Sequence, residues 1–174
     1  MQEFRPPIDP FDGTATVDMV TFCWPGFRRL KRHRKLPEVI DYLTTAERRE
    51  QPIEIKVLLA SVAFESLKTT FATCAGIDFH HGRFRERDPN GKWQNLRFEV
   101  LVNRMLKSQR MPPIRRNIVS LRNEIIHRGV SEKPVERLAD LYAEMMSVAT
   151  KYLLRVTGFR GSVHDYATQQ QVIL

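Results

Sequence analysis

The chain is poor in several features that would assign it to a large class of proteins. It has two cysteines in 174 residues, Cys23 and Cys74, and their separation is not that of a metal site, which indicates free thiols in a reducing compartment. No apolar run approaches the ~20 residues that cross a bilayer, and the first residues, MQEFRPPIDPFDG, lack the apolar centre of a secretory signal. We therefore expect a cytoplasmic protein that does not enter a membrane.

Patterns for cofactor or metal chemistry are also missing from the sequence. There is no glycine-rich phosphate loop and no nucleophile in a charge-relay arrangement. His80 and His81 are adjacent in an expected loop, and the carboxylates near them lack the spacing of ligands carried on a helix. The sequence therefore predicts neither a cofactor nor a metal site.

What the chain does have is an excess of positive charge, with a formal net charge of +8 and a pI near 9.9. Such a charge favours polyanionic partners, because neutralising phosphates releases counterions. Much of it lies in residues 28–35, RRLKRHRK, which form either a solvated basic run or a patch that contacts RNA. The candidate RNA-binding residues are Arg28, Arg29, Lys31, Arg32, Arg115, Arg116 and Arg128.

A second basic segment lies further along the chain. Arg83, Arg85 and Arg87, with Phe84 and Trp93, fall in an expected loop. Arginines interleaved with aromatic residues can stack on unpaired bases, although this segment offers few aromatic groups.

Apolar spacing predicts an all-α protein with about five helices and two irregular ends. A hydrophobic content of 42% suits one well-cored domain, which we place at 36–168, followed by a tail at 169–174. Residues 1–35 contain prolines and glycines without a sustained period, so we expect an irregular basic arm with one short strand at 15–24. The five helices are expected at 37–48, at 53–75, at 96–109, from Pro112 through the 121–129 segment, and from Pro134 to Thr157. Between the second and third of them we expect a loop at 77–94, which contains a turn at DPNGK.

The most informative segment is LRNEIIHRG, residues 121–129. At about 100° per residue Arg122 falls inside an apolar arc, whereas Asn123 and His127 share the flank of that arc. A guanidinium among aliphatic side chains is costly unless it is paired. Because the 53–75 helix is apolar nearly all round yet contains Glu65, we predict that Glu65 contacts Arg122, within or across subunits. The alternative is that Glu65 extends to solvent.

His127 also has a purely structural explanation. Cations suit the carboxyl end of a helix dipole, and Gly129 suits the residue that follows a helix. Arg122 does not fit that explanation, because it lies almost two turns before the helix end.

Arg122, Asn123 and His127 resemble the signature of HEPN domains, in which an Arg and a polar residue precede a His by a short spacer. The surrounding segments AFESL, FEVLVNRML, LLRVTGF and HDY are similar to the Apea-like branch of that family, and the resemblance covers approximately residues 36–168. It implies an all-helical, usually dimeric domain, often a metal-independent endoribonuclease of prokaryotic toxin and phage-defence systems, although some members have lost catalysis. It also implies that the arm could be the stub of an upstream sensor domain, and that an antitoxin could be a partner.

The expected apolar arc of the motif helix, about 160° wide, exceeds what one core requires, which predicts a homodimer with two motif helices near a two-fold axis. In such a cleft His127 would serve as acid or base, Arg122 would bind phosphate, and Asn123 would orient the imidazole or the ribose. The alternative is a noncatalytic dimerisation or nucleic-acid-binding module of a larger regulatory protein.

Overall fold

A computed structural model of the protein describes residues 7–9 and 11–174, and within them the chain is mostly helical. Six helices and five short strands are found in these residues, the strands forming two small antiparallel sheets. In chain order the elements are α1 (Gly13–Leu30), α2 (Leu36–Ala46), α3 (Ile53–Cys74), β1 (Asp78–His80), β2 (Arg83–Arg87), β3 (Trp93–Asn95), α4 (Phe98–Lys107), α5 (Arg116–Arg128), α6 (Val135–Thr157), β4 (Ser162–Asp165) and β5 (Gln170–Ile173).

Helix α3 lies at the centre of the bundle, as its apolar composition predicted. It packs against α2, α4, α5 and α6, and Val57, Ala60, Phe64 and Leu67 on it are almost completely buried. Of the described helices, α3 is also the one whose length and composition would allow it to cross a bilayer, with a mean hydropathy of 1.2. Its central position gives these apolar residues packing partners within the bundle.

The predicted helices α2, α3, α4 and α6 are confirmed, with ends that differ by one or two residues. The motif helix α5 begins at Arg116, later than the expected start at Pro112. Arg115 before it is extended, with φ −69° and ψ 140°. The segment is held to α4, because the Ile114 N–H donates to Asn103 Oδ1 at 2.8 Å.

The prediction of an irregular arm with a strand at 15–24 was wrong for the described residues, because this stretch lies within α1. The Asp12 carboxylate caps the helix by accepting from the Ala15 N–H at 3.0 Å. Pro25 and Gly26, which suggested irregular structure, both lie inside the helix. A Cβ at Gly26 would lie 1.9 Å from the Thr157 carbonyl oxygen, so this glycine permits a close approach of α1 to α6. Residues 1–6 and 10 of the expected arm lie outside the described residues.

The prediction of a loop at 77–94 was also wrong, and the all-α class is met only in part, since the chain is mostly helical but contains small sheets. Strands β1, β2 and β3 form an antiparallel sheet in that order. The DPNGK turn is confirmed as the β2–β3 connection, where Asp88 Oδ1 accepts from the backbone of Asn90 and Lys92. Phe84 is 5% exposed and packs on Ala72 and Leu101, so burial of this one side chain fixes the sheet on the helices.

The expected tail at 169–174 instead contains β5, which pairs with β4. Asp165 on β4 is 4% exposed and accepts from Ser147 Oγ at 2.5 Å and Lys151 Nζ at 2.7 Å, both on α6. Burial raises the pKa of Asp165, but these hydrogen bonds outweigh it, so the pKa lies below its ordinary value. The HDY segment, His164 to Tyr166, therefore anchors the carboxyl-terminal hairpin to the bundle.

Candidate functional site

Arg122 lies in the middle of α5, on the side that faces the core. Its neighbours Ile118, Leu121 and Ile125 are at most 3% exposed, and the Arg122 side chain itself is 16% exposed. The predicted apolar surroundings of this guanidinium are therefore confirmed.

The Glu65 carboxylate on α3 pairs with Arg122, which confirms the predicted contact and places it within one chain. Arg122 Nη2 donates to Glu65 Oε1. Lys68, one turn further along α3, donates to the other oxygen, Glu65 Oε2, at 2.5 Å. One carboxylate thus faces two cations, and the cluster retains one positive charge.

Phe98, the first residue of α4, completes the cluster. Its ring centroid is 4.6 Å from the Arg122 guanidinium carbon and 5.6 Å from Lys68 Nζ. Both cations therefore lie over or near one aromatic face, which stabilises positive charge. Sequence reasoning missed Lys68 and Phe98 as members of this site. The available signals were the three-residue spacing of Glu65 and Lys68, and the apolar stripe that includes Phe98.

Asn123 is held by the arginine next to it. Asn123 Oδ1 accepts from Arg122 Nη1 at 2.8 Å, and its residue is exposed. Within the described residues the buried Arg122 Nε has no hydrogen-bond partner. The guanidinium is therefore fixed by Glu65 and Asn123 while one of its donors is still unsatisfied.

His127 is exposed in the last turn of α5 and makes no hydrogen bond or ion pair within the described part of the chain. It lies five positions after Arg122, which corresponds to about 7.5 Å along the axis and about 140° around it. Arg122 faces α3 and α4, whereas Asn123, which accepts from its guanidinium, lies one turn before His127 on the same flank of α5. The cluster of Arg122, Glu65, Lys68, Phe98 and Asn123, together with His127, is called the motif site below.

The turn after α5 fixes the end that carries His127. Gly129 has φ 77°, a left-handed conformation, and its N–H donates to the Ile125 carbonyl at 2.9 Å, as expected for the residue after a helix. Glu124 accepts from Lys133 Nζ, from Ser131 Oγ at 2.9 Å and from a backbone N–H. The Lys133 ammonium and these other donors lower the pKa of Glu124 to about 2.

The predicted RNA-binding residues of α5 lie at opposite ends of that helix. Arg115 and Arg116 are at its amino-terminal end, where Arg115 pairs with Glu144 at 2.9 Å. Arg128 is 67% exposed and follows His127 directly. Because 13 residues of α-helix extend about 20 Å, one chain does not bring these two groups together.

The four predicted contacts of the basic run lie at the end of α1. Arg28 and Arg29 occupy its last turn, and Lys31 and Arg32 are exposed immediately after it. The close approach of Gly26 to Thr157 puts this end of α1 beside the carboxyl end of α6. The carboxyl end of α6 also lies near the start of α5, because Arg155 of α6 donates to the Gln109 carbonyl, which precedes α5. His127 is at the other end of α5, next to the short turn into α6. The basic run therefore lies at the end of the bundle away from His127.

A groove of about 530 Å³ connects this end with the motif site. It lies between α2 and α3, and its walls include His33 and Lys35 of the basic run, Thr69 and Thr73 of α3, and Glu65. The end of the basic run and the carboxylate that pairs with Arg122 thus border the same groove.

Among the described residues, no three His, Cys, Asp or Glu side chains come together as they would around a metal ion. Cys23 and Cys74 are free thiols, and burial raises the pKa of Cys23. No protein-family model matches the chain, and no curated protein or solved structure is significantly similar to it.

Proposed function

We propose that the protein is a metal-independent endoribonuclease of HEPN type, which cleaves RNA by attack of the 2′-hydroxyl on the adjacent phosphate. The observation that carries the proposal is the mostly buried Arg122, paired with a carboxylate that Lys68 also neutralises. The cluster retains one positive charge beside the exposed Asn123. A phosphate bound there would neutralise this charge and accept a hydrogen bond from the Asn123 amide.

The residue types match the chemical requirements of this reaction. A base must take the 2′-hydroxyl proton, an acid must protonate the leaving 5′-oxygen, and a cation must stabilise the extra charge on phosphorus. An imidazole such as that of His127 is the side chain most often used for such proton transfers, and Arg122 supplies the cation. Asn123, already held by Arg122, has an amide nitrogen that can donate to the ribose or the phosphate.

The positions of the two residues favour a site built by two copies of the chain. His127 and Arg122 of one chain are about 140° apart around α5, so we propose that His127 of a second copy completes the site around one phosphate. Ile126, Val130 and Val135 near His127 are 38%, 61% and 64% exposed. An apolar surface next to the motif site suits an isologous interface, in which both motif helices meet at a two-fold axis.

The alternative function, a noncatalytic dimerisation or nucleic-acid-binding module, is favoured by one observation. The Glu65 pair and the Asn123 hydrogen bond occupy much of Arg122, as in a structural ion pair. In that case His127 would only complement the helix dipole. RNA binding without cleavage would identify this alternative.

The biological setting follows from the HEPN resemblance alone. We propose a toxin or phage-defence effector that acts in the cytoplasm, with an upstream sensor domain or an antitoxin as its regulator. The two free thiols are consistent with a reducing compartment.

The decisive experiment maps the ends of fragments after incubation of the protein with total RNA in the presence of a chelator. Cleavage that leaves 2′,3′-cyclic phosphate and 5′-hydroxyl ends, with DNA untouched, supports the proposal. His127→Ala should abolish cleavage. His81→Asn is the control and should retain it, since His81 is an exposed histidine in the β1–β2 turn. Asparagine tolerates the left-handed backbone of His81, whose φ is 48°. Strict dependence on Mg²⁺, or full activity of His127→Ala, would refute this mechanism.

A further inference from the structure

The small sheet β1–β3 has one face that is occupied by the helices. Phe84 of β2 is buried against Ala72 and Leu101, and the Glu86 carboxylate forms two hydrogen bonds of 2.6 Å with the Arg104 guanidinium of α4. Since side chains alternate along a strand, the neighbours of Phe84 and Glu86 must point to the opposite face.

That opposite face carries a row of cations and an indole. Arg83, Arg85 and Arg87 alternate with the inward residues of β2, so they share the outer face and form a row about 13 Å long. The strand register places Trp93 opposite Arg87. It also sets His80, Asp78 and Asn95 on this face, opposite Arg83 or Arg85. These seven residues are called the outer sheet face.

Trp93 contacts two neighbouring arginines rather than packing in a core. The Arg85 guanidinium carbon is 4.2 Å from the Trp93 ring centroid and that of Arg87 is 4.8 Å away, while the Trp93 residue remains 42% exposed. The arginines orient the indole, and a substantial part of its surface is still in contact with solvent. An indole that is accessible beside several cations can stack with a planar, anionic ligand.

The charge of the outer sheet face is only partly neutralised. Arg85 pairs with Asp78, but Arg83 and Arg87 form no ion pair within the described residues. Three arginines therefore face one carboxylate. A ligand for this face must be anionic and must also offer a flat surface to the indole.

We propose that the outer sheet face binds single-stranded RNA, with a base stacked on Trp93 and the flanking phosphates paired with Arg83, Arg85 and Arg87. Every base has a π face, and stacking of unpaired bases on aromatic side chains is largely independent of sequence. A duplex keeps its base faces within its own stack, so the indole distinguishes single strands from duplexes. An acidic peptide would match the charge but would generally offer no ring for Trp93.

The position of the sheet joins this surface to the motif site. Strand β3 ends at Asn95, and Phe98, whose ring lies 4.6 Å from Arg122, is three residues further on. This connection spans at most about 10 Å of extended chain. An RNA strand held on the outer sheet face is therefore close to the cluster around Arg122. The inference rests on the proposed function in taking RNA as the substrate, and it assigns the surface that selects unpaired regions.

The test measures fluorescence anisotropy of a fluorescein-labelled 12-nucleotide 2′-O-methyl oligouridine with the full chain. This probe has no free 2′-hydroxyl, so its binding is independent of cleavage. Trp93→Ala should weaken binding about tenfold, which is within the usual range for loss of one stacked base. Trp93→Phe should restore most of the affinity, and Phe11→Ala should leave it unchanged, since Phe11 is an exposed aromatic residue (95%) before the start of α1, away from the basic run.

The arginines have a separate readout. Arg83→Ala and Arg87→Ala should each reduce the slope of log Kd against log salt by about 0.7, the contribution of one phosphate contact in a single strand. Arg137→Ala, an exposed arginine of α6, should not change that slope. Equal affinities of Trp93→Ala and Phe11→Ala, or equal competition by a duplex or by poly-glutamate, would overturn the proposal. If the unmodified protein binds the probe in a Trp93-dependent way but never cleaves total RNA, the proposed function fails while this inference stands; RNA cleavage with Trp93-independent binding gives the reverse.

Discussion

Arg122 on α5 forms an ion pair with Glu65 on α3, although the two residues are 57 positions apart in the chain. Lys68 contacts the same carboxylate. The pair ties the motif helix to the central helix of the bundle. It also fixes the guanidinium on which the proposed phosphate site depends.

Loss of the Glu65 charge should therefore affect both folding and the motif site. In Glu65→Gln the side chain keeps its size, but Arg122 and Lys68 lose their counterion in a mostly buried place. We expect the free energy of unfolding in urea to fall by about 1–2 kcal/mol, since Glu65 is partly exposed and the full cost of a buried pair is larger. Glu132→Gln, which removes a pair of 3.8 Å between side chains 67% and 90% exposed, should change it by less than about 0.5 kcal/mol. Equal values for the two variants would show that Glu65 is not needed to hold Arg122.

The close contact of α1 with α6 gives a second prediction. Gly26→Ala places a methyl group against the Thr157 backbone, which cannot move without disturbing the end of α6. We expect a loss of about 1–3 kcal/mol of stability and faster proteolysis within α1. Gly13→Ala, at the first residue of the same helix with open space around it, should be neutral or slightly stabilising. Unchanged melting of Gly26→Ala would mean that α1 does not pack on α6 in solution.

Glu124 predicts a pH dependence of stability. Its pKa is about 2 in the folded protein and near 4.5 when free, so its pairing with Lys133 stabilises the fold above pH 4.5 and is lost as the pH falls toward 2. Glu124→Gln should lower Tm at pH 7, and the difference from the unmodified protein should shrink between pH 4.5 and pH 2. Thermal unfolding followed by circular dichroism at several pH values measures this. A difference in Tm that stays constant down to pH 2 would contradict it.

The proposed interface predicts a change of oligomeric state. Val135→Asp puts a charge on the exposed apolar surface near His127, at a helix start where aspartate is tolerated. Analytical ultracentrifugation should show a dimer for the unmodified protein and a monomer for this variant, with cleavage lost in parallel. Val17→Asp, on the 63% exposed position of α1, is the matched control and should stay dimeric. Dissociation by Val17→Asp alone would move the interface to α1.

Sequence reasoning succeeded where the signal lay within a single helix. Periodicity identified the five helices from α2 to α6, and the position of Arg122 among aliphatic residues required an anionic partner. Glu65 could be named because it was the charged residue amid an otherwise apolar stretch of α3. Sequence reasoning failed for α1, because Pro25 and Gly26 indicated irregular structure. Both residues lie inside the helix, and Gly26 lets it pack closely on α6.

The β1–β3 sheet is a second case in which local sequence patterns did not predict the structure. Its strands are three to five residues long, too short for an alternating pattern to stand out, and the sequence predicted a loop. Arg83, Arg85 and Arg87 were noticed together with Phe84, but the fold turns Phe84 inward. Trp93 instead comes from the next strand to join the three arginines.

By itself the sequence determined most of the helices and the turn at 88–92, because both follow from local spacing. It also determined the ion pair between Glu65 and Arg122, because an unpaired charge in an apolar surface has a high energetic cost. Only the tertiary structure decided that α1 is a helix, that Lys68 and Phe98 surround Arg122, and that Trp93 shares a face with three arginines. These arrangements depend on contacts between elements distant in the chain, and no local pattern of residues encodes which surfaces will meet.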